Sequence, residues 1–206
     1  VGTGISSDYN VAIGYSASGY SYGTAVGYGA YGYNSGAAVG YSANGFNFGT
    51  AVGVGAYGPD SGAAVGYNAS GSSSGAAVGY YASGSNSGAA VGYYASGYNS
   101  GAAVGYYAKG VGYGVAVGYQ AGYNIDTTAD RYNTLIGAYS GYRLTTGIGN
   151  ILIGYQTGYD PTYSPTTGSY NILIGYNAWT PATTTSNFLN IGGLIFGTNL
   201  STATNT

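Results

Sequence analysis

Small and apolar residues recur in fixed columns along most of the chain. From Val11 to Gly118 the pattern can be written x-A-V-G-Y-x-A-x-G-x-x-x-G. Ile13, Val26, Val39, Val52, Val65, Val78, Val91, Val104 and Val117 form one apolar column, and Ala17, Ala30, Ala43, Ala56, Ala69, Ala82, Ala95, Ala108 and Ala121 a second, smaller one. The glycine after the first column stands at Gly14, Gly27, Gly40, Gly53, Gly66, Gly79, Gly92, Gly105 and Gly118, so eight successive intervals are thirteen residues long. A short fixed period predicts a solenoid in which each turn covers the one before.

Two or more glycines in every thirteen residues exclude helix, because each costs about 1 kcal/mol relative to alanine. The unit therefore predicts strands and turns, with two short strands and two bends in each coil. In an extended segment Val39 and Tyr41 share one face and Ala38 and Gly40 the other. Gly19 through Gly110 and Gly23 through Gly114, at the fifth and ninth places after the first glycine column, are expected to supply positive φ at the corners. An interior filled by the repeated Val and Ala is thin, and burying it further against identical neighbours is the expected remedy.

The rhythm changes after Gly118. The next equivalent glycines are Gly137, Gly154, Gly175 and Gly192, at spacings of 19, 17, 21 and 17. The strand persists as Asn133-Thr134-Leu135-Ile136, Asn150-Ile151-Leu152-Ile153 and Asn171-Ile172-Leu173-Ile174, with larger aliphatics where the regular turns carry Ala. Asp160 to Pro165 and Trp179 to Thr185 are expected to project as loops. Residues 187–197, the most apolar stretch, are expected to cap the array or lead onward. The organisation read from this pattern is a lead-in (1–9), regular thirteen-residue turns (10–122), longer irregular turns (123–197) and a tail (198–206). The start at Val1 rather than Met is expected of a fragment or a processed product.

Composition narrows the function classes. Among 206 residues there are 42 Gly and 28 Tyr, no Cys and no His, and only 4% are charged. That is too little charge, and too little proline, for a disordered chain. The only cations are Lys109, Arg131 and Arg143, and the net charge is −2, so no basic surface exists to neutralise nucleic-acid phosphates. No run of about 18 apolar residues predicts a membrane-spanning helix, and no basic-then-apolar leader is present.

The repeat Asn10-Val11-Ala12-Ile13-Gly14, followed by Ala17 and Gly19, resembles the N-S-V-A-I-G repeat of trimeric autotransporter adhesin heads. The later N-I-L-I-G-Y units are similar to repeats in phage tail-fibre and bacterial surface-fibre proteins. The resemblance covers nearly the whole chain. It implies an all-β, parallel, left-handed β-roll, here with thirteen-residue turns where the family has about fourteen, in a side-by-side homotrimer. It also implies display at a cell or virion surface and attachment to a glycan or host receptor. This chain departs from the family at Ala37, Ala63, Ala76, Ala89 and Ala102, where Val is usual, and in its density of Tyr.

Candidate chemistry is sparse. Gly71-Ser72-Ser73-Ser74-Gly75 matches the G-x-S-x-G nucleophile motif, but the chain has no His to act as a base, and Ser fills the same turn in neighbouring repeats. Gly27 to Gly32 and Gly53 to Gly58 fit G-x-G-x-x-G without a following helix. The five carboxylates are Asp8, Asp60, Asp126, Asp130 and Asp160; the pair Asp126 and Asp130 beside Arg131 is read as a salt-bridged loop. No enzymatic activity, metal or other cofactor is expected.

Tyrosine carries the functional reading. Tyr15, Tyr28, Tyr41, Tyr67, Tyr80, Tyr93, Tyr106 and Tyr119 occupy one column, and Tyr81, Tyr94 and Tyr107 begin another. Turns about 4.8 Å apart would stack these rings. The ladders either fill grooves between chains or form an adhesive strip, and Tyr163 and Trp179 are candidate contacts in the later loops. The alternative to a fibre is a monomeric surface-binding solenoid such as an ice-binding protein, which would need a flat regular row of Thr. Only Thr24 and Thr50 occur in that column.

Overall fold

A computed structural model describes residues 9–128 and 131–198. Most of the lead-in and of the tail, together with Asp130, lies outside the described residues. The chain divides into two compact units, 1–100 and 101–206.

The first unit is a parallel β-solenoid with two strands per turn. One sheet stacks Val11–Ile13, Thr24–Val26, Ala37–Val39, Thr50–Val52, Ala63–Val65, Ala76–Val78 and Ala89–Val91 in order. The other stacks Ser18–Tyr20, Tyr31–Tyr33, Asn44–Phe46, Tyr57–Pro59, Ser70–Ser72, Ser83–Ser85 and Ser96–Tyr98. We call these the valine sheet and the glycine sheet. The register is thirteen residues throughout, as Ala76↔Ala89 and Gly71↔Gly84 show.

The interior is narrower than the apolar columns suggest. Ala25, Ala38, Ala51, Ala64, Ala77 and Ala90 point inward from the valine sheet and are buried, whereas Val39, Val52, Val65, Val78 and Val91 point outward and are 37–46% exposed. The expectation that Val helps fill the core is thus corrected. Gly32, Gly45, Gly58, Gly71 and Gly84 face the inward alanines from the opposite sheet. A Cβ on any of them would fall well under 3.0 Å from a valine-sheet carbonyl, Thr24 O for Gly32 and Ala63 O for Gly71. The sheets meet backbone to backbone, leaving room for methyl groups and nothing larger.

The corners correct a second expectation. Gly19 and Gly23, and their equivalents up to Gly110 and Gly114, are not left-handed; they are glycine because a Cβ would strike neighbouring backbone. Positive φ falls instead on pairs of larger residues: Asn34 and Ser35 (47°, 59°), Ser73 and Ser74 (49°, 63°), Asn86 and Ser87 (48°, 63°). Two consecutive left-handed residues closed by a bond such as Gly36 N–H to Tyr33 O (2.9 Å) make a type I′ turn. Asn suits this conformation, and the corners also bond from turn to turn, as in Ser35 N–H to Ser21 O (2.9 Å). Asn34 Nδ2 donates to Asn47 Oδ1, and Asn47 Nδ2 to Asp60 Oδ1. The serine motif at 71–75 is one of these corners, with Gly75 N–H bonded to Ser72 O.

In the second unit the valine sheet is built from Ala102–Val104, Val115–Val117, Thr134–Ile136, Ile151–Ile153, Ile172–Ile174 and Leu189–Ile191, all parallel. Among the described residues only Lys109–Val111 represents the glycine sheet here; loops replace it afterwards. Without a facing backbone the interior widens, and Leu135, Leu152 and Leu173 occupy the alanine position, buried as Ile125 and Leu144 are. Ile195–Gly197 folds back antiparallel onto Leu189–Ile191, ending the parallel run with a hairpin.

The longer turns are tied by a buried asparagine ladder that enters at the start of each strand. Asn133 Oδ1 accepts from Asn150 N (2.8 Å) and Nδ2 (3.2 Å). Asn150 Oδ1 accepts from Asn171 N and Nδ2, both at 3.0 Å, and Asn171 Oδ1 from Phe188 N (3.1 Å). Each Nδ2 also reaches a loop carbonyl: Gly147 O, Gly168 O and Thr185 O.

Candidate functional site: aromatic ladders and the loop cluster

Tyrosines follow the valine sheet at the corner after each Val-Gly pair, so the thirteen-residue register places their rings one above another. In the first unit Tyr15 stacks on Tyr28 (5.2 Å), Tyr28 on Tyr41 (5.1 Å), Tyr67 on Tyr80 (5.0 Å) and Tyr80 on Tyr93 (5.0 Å), with interplanar angles of 3–19°. Val54 interrupts the column. In the second unit Tyr106 stacks on Tyr119 at 4.9 Å. The rings lie on the outside of the coil, so the column expected from the sequence is present and exposed.

The second ladder has a conformational cost. Tyr81 stacks on Tyr94 at 4.9 Å and 6°, and both have φ 51°. The equivalent position is Ser42 or Asn68 in earlier turns and Tyr107 in the second unit. A bulky side chain in the left-handed region costs about 1 kcal/mol or more, so ring contact must offset it. Tyr80 meets Tyr81 edge-on at 4.8 Å, and the two columns form one continuous aromatic strip.

Desolvation, followed by the neighbouring Tyr81, Tyr93 and Tyr67 hydroxyls, raises the pKa of Tyr80 above the ordinary phenol value. Tyr139 is raised likewise, by desolvation first and then by Tyr119. A pKa raised by folding gives stability that is complete below about pH 10 and is lost as pH climbs through the folded-state value. Alkaline titration followed by phenolate absorbance should therefore show a late fraction of tyrosines, ionising above the ordinary phenol range. Smooth titration of every tyrosine near pH 10 with the fold intact would contradict this.

The loops of the second unit gather residues the repeat pattern did not single out. Tyr123 stacks on Tyr142 (5.3 Å, 8°), Tyr142 lies 5.4 Å from Tyr159, and Tyr139 meets Tyr159 edge-on at 5.4 Å. For Tyr123, Tyr142 and Tyr159 the sequence signal was a Gly-Tyr pair, Gly122-Tyr123, Gly141-Tyr142 and Gly158-Tyr159, whose tyrosine stands five residues after Gly118, Gly137 and Gly154. Arg143 lies over Tyr159 at 5.8 Å and donates from Nε to Tyr159 O (2.9 Å). Asn124, Arg143, Thr145, Pro161 and Thr166 line a cleft of about 300 Å³. Tyr163 and Trp179, each expected on a separate loop, come together at 5.5 Å, fixed by Thr180 N–H to Tyr163 O (2.8 Å).

The other charges are held within the fold. Arg131, almost wholly buried, pairs with Asp126 at 3.7 Å, the salt-bridged loop expected there. The Thr128 amide and hydroxyl, and then Arg131 and Lys109, hold the Asp126 carboxyl below its ordinary range. Burial pushes Lys109 down, against the opposing pull of Asp126. Among the described residues there is no cluster of three metal-ligating His, Cys, Asp or Glu, and no helix long and apolar enough to cross a membrane.

The fold and the exposed strip define a tyrosine-rich parallel β-solenoid. The chain matches no family model, no curated protein and no solved structure.

Proposed function

We propose that the chain is a structural and adhesive segment of an extracellular trimeric fibre, in which left-handed coils lie side by side and attach multivalently to a surface or glycan. The observation that carries this reading is the outer face of the valine sheet in the first unit. Its outward columns are Ala37, Thr50, Ala63, Ala76 and Ala89 beside Val39, Val52, Val65, Val78 and Val91, uncharged and uncovered by the chain itself. With the adjoining tyrosines it spans on the order of 400 Å², the size of the largest apolar patch on a typical monomer, which is often a functional one. The methyl-only interior makes burial of this face between chains the more valuable. Aromatic strips and loops then repeat on each of three chains, so weak contacts add through avidity.

Native mass tests the association. Three chains of 20.5 kDa, about 62 kDa in all, are expected in solution. Val65→Lys, Val78→Lys and Val91→Lys together place three charges on the face and should yield folded monomer with an unchanged β spectrum. A wild-type mass near 20.5 kDa would overturn the trimer. It would favour the monomeric surface-binding solenoid, for which the exposed tyrosine columns are the supporting feature. Freezing-point hysteresis of the monomer would then identify ice as its surface.

A further inference from the structure

Of the three cations, Arg131 is paired with Asp126 and Lys109 is partly buried, whereas Arg143 has no carboxylate within salt-bridge distance among the described residues. Its guanidinium is nonetheless oriented. Nε is fixed on Tyr159 O and Cζ lies over the Tyr159 ring at 5.8 Å from its centroid, and neither contact uses the Nη groups of this cleft-lining residue, which are its donors for a ligand. Asp160, next in sequence to Tyr159, turns its Oδ1 back onto the amides of Thr162 and Tyr163. The rest of the lining is neutral and mixed. Asn124 uses Nδ2 on Tyr142 O and keeps Oδ1 as an acceptor, Thr145 donates its hydroxyl to Thr166 O and keeps its lone pairs as acceptors, Thr166 offers a hydroxyl, and Pro161 gives an apolar wall.

An oriented guanidinium fork suits a carboxylate, hydroxyls and an amide suit sugar hydroxyls, and the apolar wall of Pro161 suits the C–H face of a pyranose. We propose that this cleft binds the carboxylate-bearing terminal sugar of an acidic glycan. The inference deepens the attachment reading and rests on it. About 300 Å³ fits one terminal ring rather than an extended chain, so recognition is of the end of the glycan. The aromatic ladders would supply carboxylate-independent contacts elsewhere.

The test measures binding of the full chain to three immobilised oligosaccharide sets, terminated by N-acetylneuraminate, by glucuronate and by galactose. At least one acidic set should bind at least about tenfold more tightly than the neutral set, and the preferred one identifies the source of the carboxylate. Arg143→Gln should remove that preference, Arg143→Lys should restore it in part, and Thr166→Phe should abolish it by filling the cleft with Arg143 intact. Native mass and melting temperature provide the check on folding. Equal binding to acidic and neutral sets, or acidic binding untouched by both Arg143→Gln and Thr166→Phe, overturns the proposal while leaving attachment through tyrosines standing. Failure to bind any glycan or cell surface overturns both readings.

Discussion

Gly71→Ala is expected to unfold or severely loosen the first unit, although it adds a single methyl group to a serine-rich strand. The added Cβ meets the carbonyl of Ala63 in the facing sheet, and that carbonyl is held in the turn-to-turn ladder and cannot retreat. Overpacking without relief costs about 3 kcal/mol or more, or roughly 12 °C of melting temperature in a domain of this size. The control is Gly29→Asn. Gly29 is left-handed (φ 62°), and its nearest contact for a Cβ is Ser42 Oγ at 3.6 Å. Asn68 already occupies the equivalent corner, so this change should stay within about 1 kcal/mol. Melting of the two variants by circular dichroism decides it; a Gly71→Ala protein within a few degrees of wild type would mean that the sheets can part.

Asn150→Ala is expected to have the next largest effect, and in the second unit. Asn150 is fully buried and serves both neighbouring turns. Without it, Asn171 loses the acceptor for its backbone N–H, Gly168 O loses its side-chain donor, and Asn133 Oδ1 and Asn171 Nδ2 each lose one of two partners. An unpaired buried N–H together with three weakened buried groups costs about 3 kcal/mol. Asn124→Ala, an exposed change with one side-chain bond, should cost about 1 kcal/mol or less. Denaturant unfolding of the second unit compares the two, and equal losses would show that the ladder contributes no more than a surface contact.

The thirteen-residue period made the strands, the register and the first tyrosine ladder legible, since each follows from stacking identical turns. Which apolar residue faces inward was harder to read. Ala38 and Val39 alternate on a strand, and either could have been core. The deciding information lay in the partner strand, where Gly32 and Gly45 leave no width for a valine. The same glycines looked like corner residues because the Asn-Ser and Ser-Ser pairs between them are rarely left-handed outside a turn that is bonded above and below. In the later turns Asn133, Asn150 and Asn171 were visible before each strand, but their amide ladder depends on three turns of different length coming into line. The Arg143 cleft was not legible at all: Asn124, Thr145 and Thr166 come from loops whose meeting no local pattern encodes.

The asparagine ladder separates the pitch of the coil from the length of its loops. Strands separated by 17 and 21 residues share one parallel register, and an amide bond at each strand entry, rather than the connecting loop, spans the step. Segments such as 160–165 and 179–185 can therefore change in length and sequence while the scaffold keeps its shape. In that respect the second unit is a display frame: new contact surfaces can be grafted between fixed amide rungs without redesigning the fold beneath them.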